Sequence, residues 1–114
     1  MLLIPLEEDK KTIASGFRKS AMFVFIDKEK GIVFQENHFK TDNSTLFFEN
    51  FVKYDVDTIY LKALGYKTYL RLEGLGLKVY LIDEVAEYTH IDLDRLVLLD
   101  SGNAEGLCVL GHKG

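Results

Sequence analysis

A single cysteine, Cys108, stands in the 114 residues, so one copy of the chain can hold neither an internal disulfide framework nor a site built on several cysteines. Proline is nearly as scarce. Pro5 is alone, and no Gly/Ser-rich or single-sign run divides the sequence. The chain therefore reads as one domain over 1–114, with no internal linker and no repeat. Long hydrocarbon runs are missing too. The opening MLLIPLEEDKK meets charge after a few apolar residues, far short of a signal-peptide core or of the roughly 20 residues of a membrane span. The expectation is a cytoplasmic protein that makes no use of a membrane. Basic stripes are absent: 14 Lys+Arg lie scattered against 18 Asp+Glu, a net charge of −4, which argues against a nucleic-acid partner. The three histidines are separated, with no His-x-x-x-His or Glu-x-x-His pair.

What is present is a core. The chain is 47% hydrophobic, and a domain of this size buries about two-thirds of its unfolded surface, enough to fold without a structural metal. Leu2, Leu3, Ile4 and Leu6 form a short near-continuous apolar run, the pattern of a central strand covered on both faces. Ala21 to Asp27 and Gly31 to Gln35 flank Lys28-Glu29-Lys30, a connection of hairpin length, and read as two antiparallel strands. Leu46, Phe47, Phe51, Val52 and Tyr54 predict an amphipathic helix over about 44–54, with Asn43 or Asp42 as N-cap. Val56 to Leu61 is β-branched and aromatic, hence a buried strand. Gly65 then opens a helix over 66–73 with Gly74 or Gly76 as its C-terminal glycine, and Leu77 to Ile82 is a further strand. In the tail, Ile91, Leu93 and Leu96 to Leu99 fit either a helix stopped near Gly102 or one arm of a hairpin with Leu107 to Leu110. Asp92 and Asp94 suit a first helical turn, so helix is the expectation. The sum is a layered α/β domain with right-handed crossovers.

This order, together with Phe17, Glu36-Asn37, Val56-Asp57-Thr58-Ile59, Leu64-Gly65-Tyr66-Lys67 and Gly76-Leu77-Lys78-Val79-Tyr80-Leu81, resembles the NifX/NifB-type dinitrogenase iron-molybdenum cofactor biosynthesis domain over roughly residues 1–102. The resemblance implies a ribonuclease H-like three-layer fold with a central mixed five-stranded sheet. It also implies a small non-enzymatic carrier in nitrogen fixation, binding iron-molybdenum cofactor, its precursor or another metal-sulfur cluster. In the first loop the family carries His-Phe-Gly where this chain has Gly16-Phe17-Arg18.

The residues themselves point to an anion. The loop Ser15-Gly16-Phe17-Arg18-Lys19-Ser20 should lie at a strand end where open α/β sheets bind ligands. Arg18 and Lys19 offer positive charge, Ser15 and Ser20 offer hydroxyls, and amides near a glycine can cradle an anion. The competing reading is a solvated loop with Phe17 plugging the core. Lys67, after the Gly65 turn, would reinforce the site through the helix start or simply face water. His38 is the imidazole nearest that edge. Cys108 and His112 are four apart, but the glycines around them disfavour the helix that would join them on one metal, and a buried thiol is the alternative. Two-metal nuclease chemistry needs carboxylates on the central strand, and Leu2 to Leu6 has none. No nucleophile-base-acid set is legible, and Gly65-Tyr66-Lys67-Thr68 lacks the upstream glycine and the Gly-Lys pair of a phosphate loop. A second functional class also fits: a protein-protein interaction module or homodimer, because the six tyrosines with Phe39, Phe47 and Phe48 exceed what a small core must hold.

Overall fold

The apolar run near residue 1 forms the strand on which the rest is laid. In the computed structural model, which describes residues 1–38, 44–82 and 86–108, β1 spans Leu2–Leu6, with Leu3 to Leu6 all buried. It pairs antiparallel with β2, Met22–Asp27, and parallel with β4, Thr58–Leu61. Proline inside such a strand would normally cost a ladder bond. Here β1 leaves β4 after Leu3, and its end is taken by the chain's own return: Leu6 bridges Ile13 and the Ala14 amide donates to the Pro5 carbonyl at 2.9 Å.

β2 returns as β3, Gly31–Glu36, through a turn in which Gly31 takes a φ of +79°. Asp27 fixes that turn by accepting the Glu29 amide at 2.7 Å. Helix α1 covers Ser44–Phe51; the expected caps Asn43 and Asp42 lie outside the described residues. After β4, α2 spans Tyr66–Gly74 and ends in a Schellman motif. Leu77 donates to the Leu72 carbonyl and Gly76, at φ +81°, donates to that of Glu73, as a left-handed glycine stop requires. β5, Lys78–Leu81, lies parallel to β4.

The tail differs from expectation. Instead of a helix over 91–99 there are single 3-10 turns at Tyr88–His90 and Leu93–Arg95, then a two-residue strand β6, Val97–Leu98, antiparallel to β5. The open edge of β5 has unpaired backbone groups to satisfy, and the tail supplies them. It also serves two cores, since Ile91 and Leu96 pack on one side of the sheet and Leu99 on the other. A single helical stripe cannot do that. A short α3, Ala104–Leu107, follows a turn in which the Asp100 and Asn103 side chains accept each other's backbone amides at 2.9 Å.

The sheet is thus mixed and six-stranded, in the order β3-β2-β1-β4-β5-β6, not five-stranded. The three helices pack on one face around Leu3, Phe17, Phe23, Ile59 and Val79. The other face, with Ile4, Leu6 and Val24, is covered among the described residues by Ile13 and by the turns carrying Tyr88, Ile91 and Leu96. No helix among the described residues is long and apolar enough to cross a membrane.

Candidate functional site

Strand direction decides which loops share a rim. β1 and β4 run parallel and end at the same edge, where β2 begins and β3 ends. The connection after β1, the turn after β3 and the Gly65 turn after β4 therefore all leave from that edge, the carboxyl edge of the parallel strands.

The first connection is held from below. The Phe17 ring is fully buried and lies edge-on to Phe47 and Phe51, with centroids 5.3 and 5.4 Å away. The loop then turns tightly: the Ser20 hydroxyl donates to the Phe17 carbonyl at 3.0 Å. Asn37, 8% exposed, ties the end of β3 to this turn. Its side-chain amide donates to the carbonyls of both Arg18 and Ser20 at 2.9 Å, and its backbone N–H donates to the Ala21 carbonyl at 3.0 Å. Buried amides need such partners, so these bonds fix the turn's shape.

The turn sends its two cations different ways. Lys19 is exposed, whereas Arg18 is half-buried, with its guanidinium Nε and Nη1 shielded from water and without a hydrogen-bond partner among the described residues. A guanidinium keeps its proton at any ordinary pH. Leaving one buried donor unmet costs about 1–3 kcal/mol, and more when it is charged. Two nitrogens of this cation are therefore held on the rim loop, desolvated and unused by the described residues.

Among solved structures the fold has a counterpart. The NMR structure of a candidate NifB protein from Thermotoga, of the DUF35 family, matches with a TM-score of 0.55 and 18% sequence identity, covering 75% of this chain and 77% of that one. At this identity the likeness is one of fold, an α/β domain. No family model matches the sequence, and no curated protein matches it.

The other predicted residues occupy more ordinary positions. Ser15 is exposed, and the Ser20 hydroxyl is committed to its own turn. His38 is exposed, one residue beyond the Asn37 clamp. Gly65 is buried in extended backbone as the N-cap of α2, where its carbonyl accepts the Tyr69 amide at 3.0 Å. Lys67 is exposed in the first turn of that helix. Beside the clamp, on the sheet face that none of the described helices covers, an open groove is lined by Glu8, Lys10, Phe34, Glu36 and Asn37. Its charge is mixed, so positive character at the rim is concentrated on the loop and not spread along it.

Among the described residues no three His, Cys, Asp or Glu side chains come together in a metal-ligating group. Cys108 is buried, which pushes its thiol up, and His112 lies outside the described residues. The donor set at the rim is suited to hydrogen-bonding an anion, not to ligating a metal atom. Sequence reasoning missed Asn37 as a site residue and did not separate Arg18 from Lys19. An amide residue directly after the apolar strand run Ile32 to Phe34 and its polar end Gln35-Glu36 was the available signal for the clamp. The turn that carries Arg18 is tied down by a bond to its carbonyl from a residue nineteen positions away.

Proposed function

We propose that this protein is a non-enzymatic binding protein or carrier that holds an anionic ligand at the carboxyl edge of its sheet, around the loop Ser15–Ser20. The observation that carries this reading is the Arg18 guanidinium, whose buried Nε and Nη1 have no partner among the described residues. Asn37 supports it by fixing the loop on which Arg18 rides. The strand order β3-β2-β1-β4-β5, with β2 antiparallel to the other four, supports a ribonuclease H-like reading of the architecture. Together with the fold likeness to a NifB-type protein, this favours a nitrogenase-related cargo: iron-molybdenum cofactor, its precursor or another anionic metal-sulfur cluster, gripped by charge-assisted hydrogen bonds. His38, just after β3, and Lys67, in the first turn of α2, are the further side chains placed at that edge.

Anaerobic reconstitution with iron, molybdate and sulfide tests this. The expected result is a stoichiometric coloured complex that Arg18→Met weakens by about 10–100-fold, the worth of a hydrogen bond to a charged group. A colourless, metal-free protein across that series overturns the metal-cluster reading. Unchanged binding in Arg18→Met overturns the site. A second reading, a protein-protein interaction module, is favoured by a separate observation: Ile32, Val33 and Phe34 on β3 are 54%, 49% and 38% exposed.

A further inference from the structure

At the edge opposite the rim, where β1 begins and β2 ends, the helix face of the sheet carries a slot that the described residues leave unfilled. Phe25 of β2 and Tyr54, just beyond α1, line it with rings whose centroids are 5.0 Å apart. Val33 of β3, paired opposite Phe25, adds aliphatic surface and is 49% exposed. The slot measures about 160 Å³. A cavity of about 150 Å³ lined by hydrocarbon holds one benzene molecule, so this space matches a single six-membered ring.

The β2–β3 turn completes the lining with charge. Gly31 borders the slot without a side chain, and a Cβ there would meet nothing within 4 Å, so the turn does not block it. Asp27 and Lys30 border it with opposite signs. The amides of Glu29 and Lys30 donate to Asp27 Oδ1 at 2.7 and 3.4 Å and hold that carboxyl below its ordinary value. Asp27 is therefore ionised at neutral pH. Among the described residues its Oδ2 takes no hydrogen bond, and no ion pair joins Asp27 to Lys30. The third charge of the lining, the Met1 ammonium, is already held by Asp57 at 3.0 Å.

We propose that this slot binds an α-amino acid with one six-membered aromatic ring, the ring entering against Phe25, Tyr54 and Val33 and the ammonium and carboxylate meeting Asp27 and Lys30. Small-molecule sites are apolar hollows in which a few polar groups fix orientation, and this slot has that composition. Its rings reward an aromatic ligand, which gains from edge-to-face or offset contact as well as from burial. Its charges select the head group. A plain carboxylate would gain Lys30 but meet the like charge of Asp27, and a plain amine would gain Asp27 but meet that of Lys30. A zwitterion with both charges on one carbon satisfies the two at once. Size sets the remaining limit, because the fused rings of an indole exceed a space of one ring.

No residue of the Ser15–Ser20 loop takes part, so failure here leaves the anion site standing, and the reverse. Amide NMR spectra of the full chain, titrated with L-phenylalanine, test the proposal. Saturable shifts are expected at Phe25, Gly31 and Val33, with Lys19 and Ser20 at the opposite rim unmoved. Phenylpropanoate, which lacks the ammonium, and phenylethylamine, which lacks the carboxylate, should each bind about two- to fivefold more weakly, the worth of one exposed charge pair. Lys30→Gln and Asp27→Asn should weaken L-phenylalanine by the same factor; asparagine keeps the Oδ1 that holds the turn. Val33→Trp places an indole over the slot on a strand that accepts it, and should reduce binding more than tenfold while circular dichroism stays that of the wild type. Absence of shifts overturns the proposal, as do shifts that fall outside the slot or survive Val33→Trp. Equal binding of L-phenylalanine, phenylpropanoate and phenylethylamine overturns it too, since the charges would then select nothing.

Discussion

The two faces of the sheet are covered in different ways. On one, three helices enclose a cluster of rings in which Phe17 meets Phe23, Phe47 and Phe51, Phe47 and Phe51 stack at an interplanar angle of 14°, and the Arg71 guanidinium caps Phe48 at 4.8 Å from its centroid. On the other, aliphatic side chains of β1 and β2 are roofed by irregular chain that inserts Ile13, Ile91 and Leu96. Helices satisfy their own backbone and present a periodic stripe. A roof without regular structure must find a partner for each backbone group separately. Here the Ile13 amide donates to the Ala86 carbonyl at 2.8 Å and the Tyr88 amide to the Lys11 carbonyl at 3.1 Å, so two stretches far apart in sequence hold each other in place.

The largest expected effect removes the ring that ties the helix face to the candidate site. Phe17→Ala should cost about 3–5 kcal/mol, measured by urea unfolding, because the surrounding rings cannot close a void that size. Ile13→Ala, equally buried at 2% or less, should cost about 2–4 kcal/mol. The irregular roof can collapse onto part of the space. An Ile13→Ala cost equal to or above that of Phe17→Ala would show that the roof is as tightly specified as the helices.

A smaller effect separates the faces by pH. Tyr69, buried in the helix face at 3% exposure, donates its hydroxyl to Glu73 Oε2 at 2.6 Å. Burial first, and that hydrogen bond second, push its pKa up to about 12. The unfolded chain releases the same proton near pH 10. The stabilising contribution is therefore whole below pH 10 and is lost as pH rises toward 12, a loss of about 2–3 kcal/mol at 1.4 kcal/mol per pKa unit. Burial shifts Tyr54, Tyr60 and Cys108 in the same direction. Tyr69→Phe should change stability little at pH 7, because Glu73 is exposed, yet flatten the alkaline loss measured from unfolding curves at pH 9 to 12. An unchanged slope would place the alkaline sensitivity on the other groups.

The same contrast explains what was legible in the sequence. β1 to β5, α1 and α2 were readable, because each announces one environment through its period: two buried faces for Leu2–Leu6, a helical stripe for Tyr66–Gly74, and a glycine stop that needs positive φ at Gly76. The tail was misread because Leu96 and Leu99 serve opposite cores, and a run of apolar residues does not say which side each one joins. The rim location of the Ser15–Ser20 loop followed from topology. The difference between Arg18 and Lys19 did not, for both ride on a turn held by the Ser20 hydroxyl and by Asn37 at the end of β3, contacts between residues far apart in sequence.

The smallest expected effect asks what holds the irregular roof down. Asp92 accepts the Asp94 amide at 3.0 Å, starting the 3-10 turn that aims Leu96 back at the sheet, and its other oxygen lies 3.8 Å from Arg95 Nε in an exposed pair. Exposed pairs of this kind contribute little, so the capping bond is what Asp92→Ala removes, at about 0.5–1 kcal/mol. Leu96→Ala deletes the buried anchor instead and should cost more. If burial holds the roof, native-state hydrogen exchange in Asp92→Ala should speed up only in the turns between 86 and 96, leaving β1 and β2 unchanged, while Leu96→Ala should loosen the amides of Ile13 and Tyr88 as well. The reverse order of costs would mean that polar turns fix this layer and that its apolar side chains only follow.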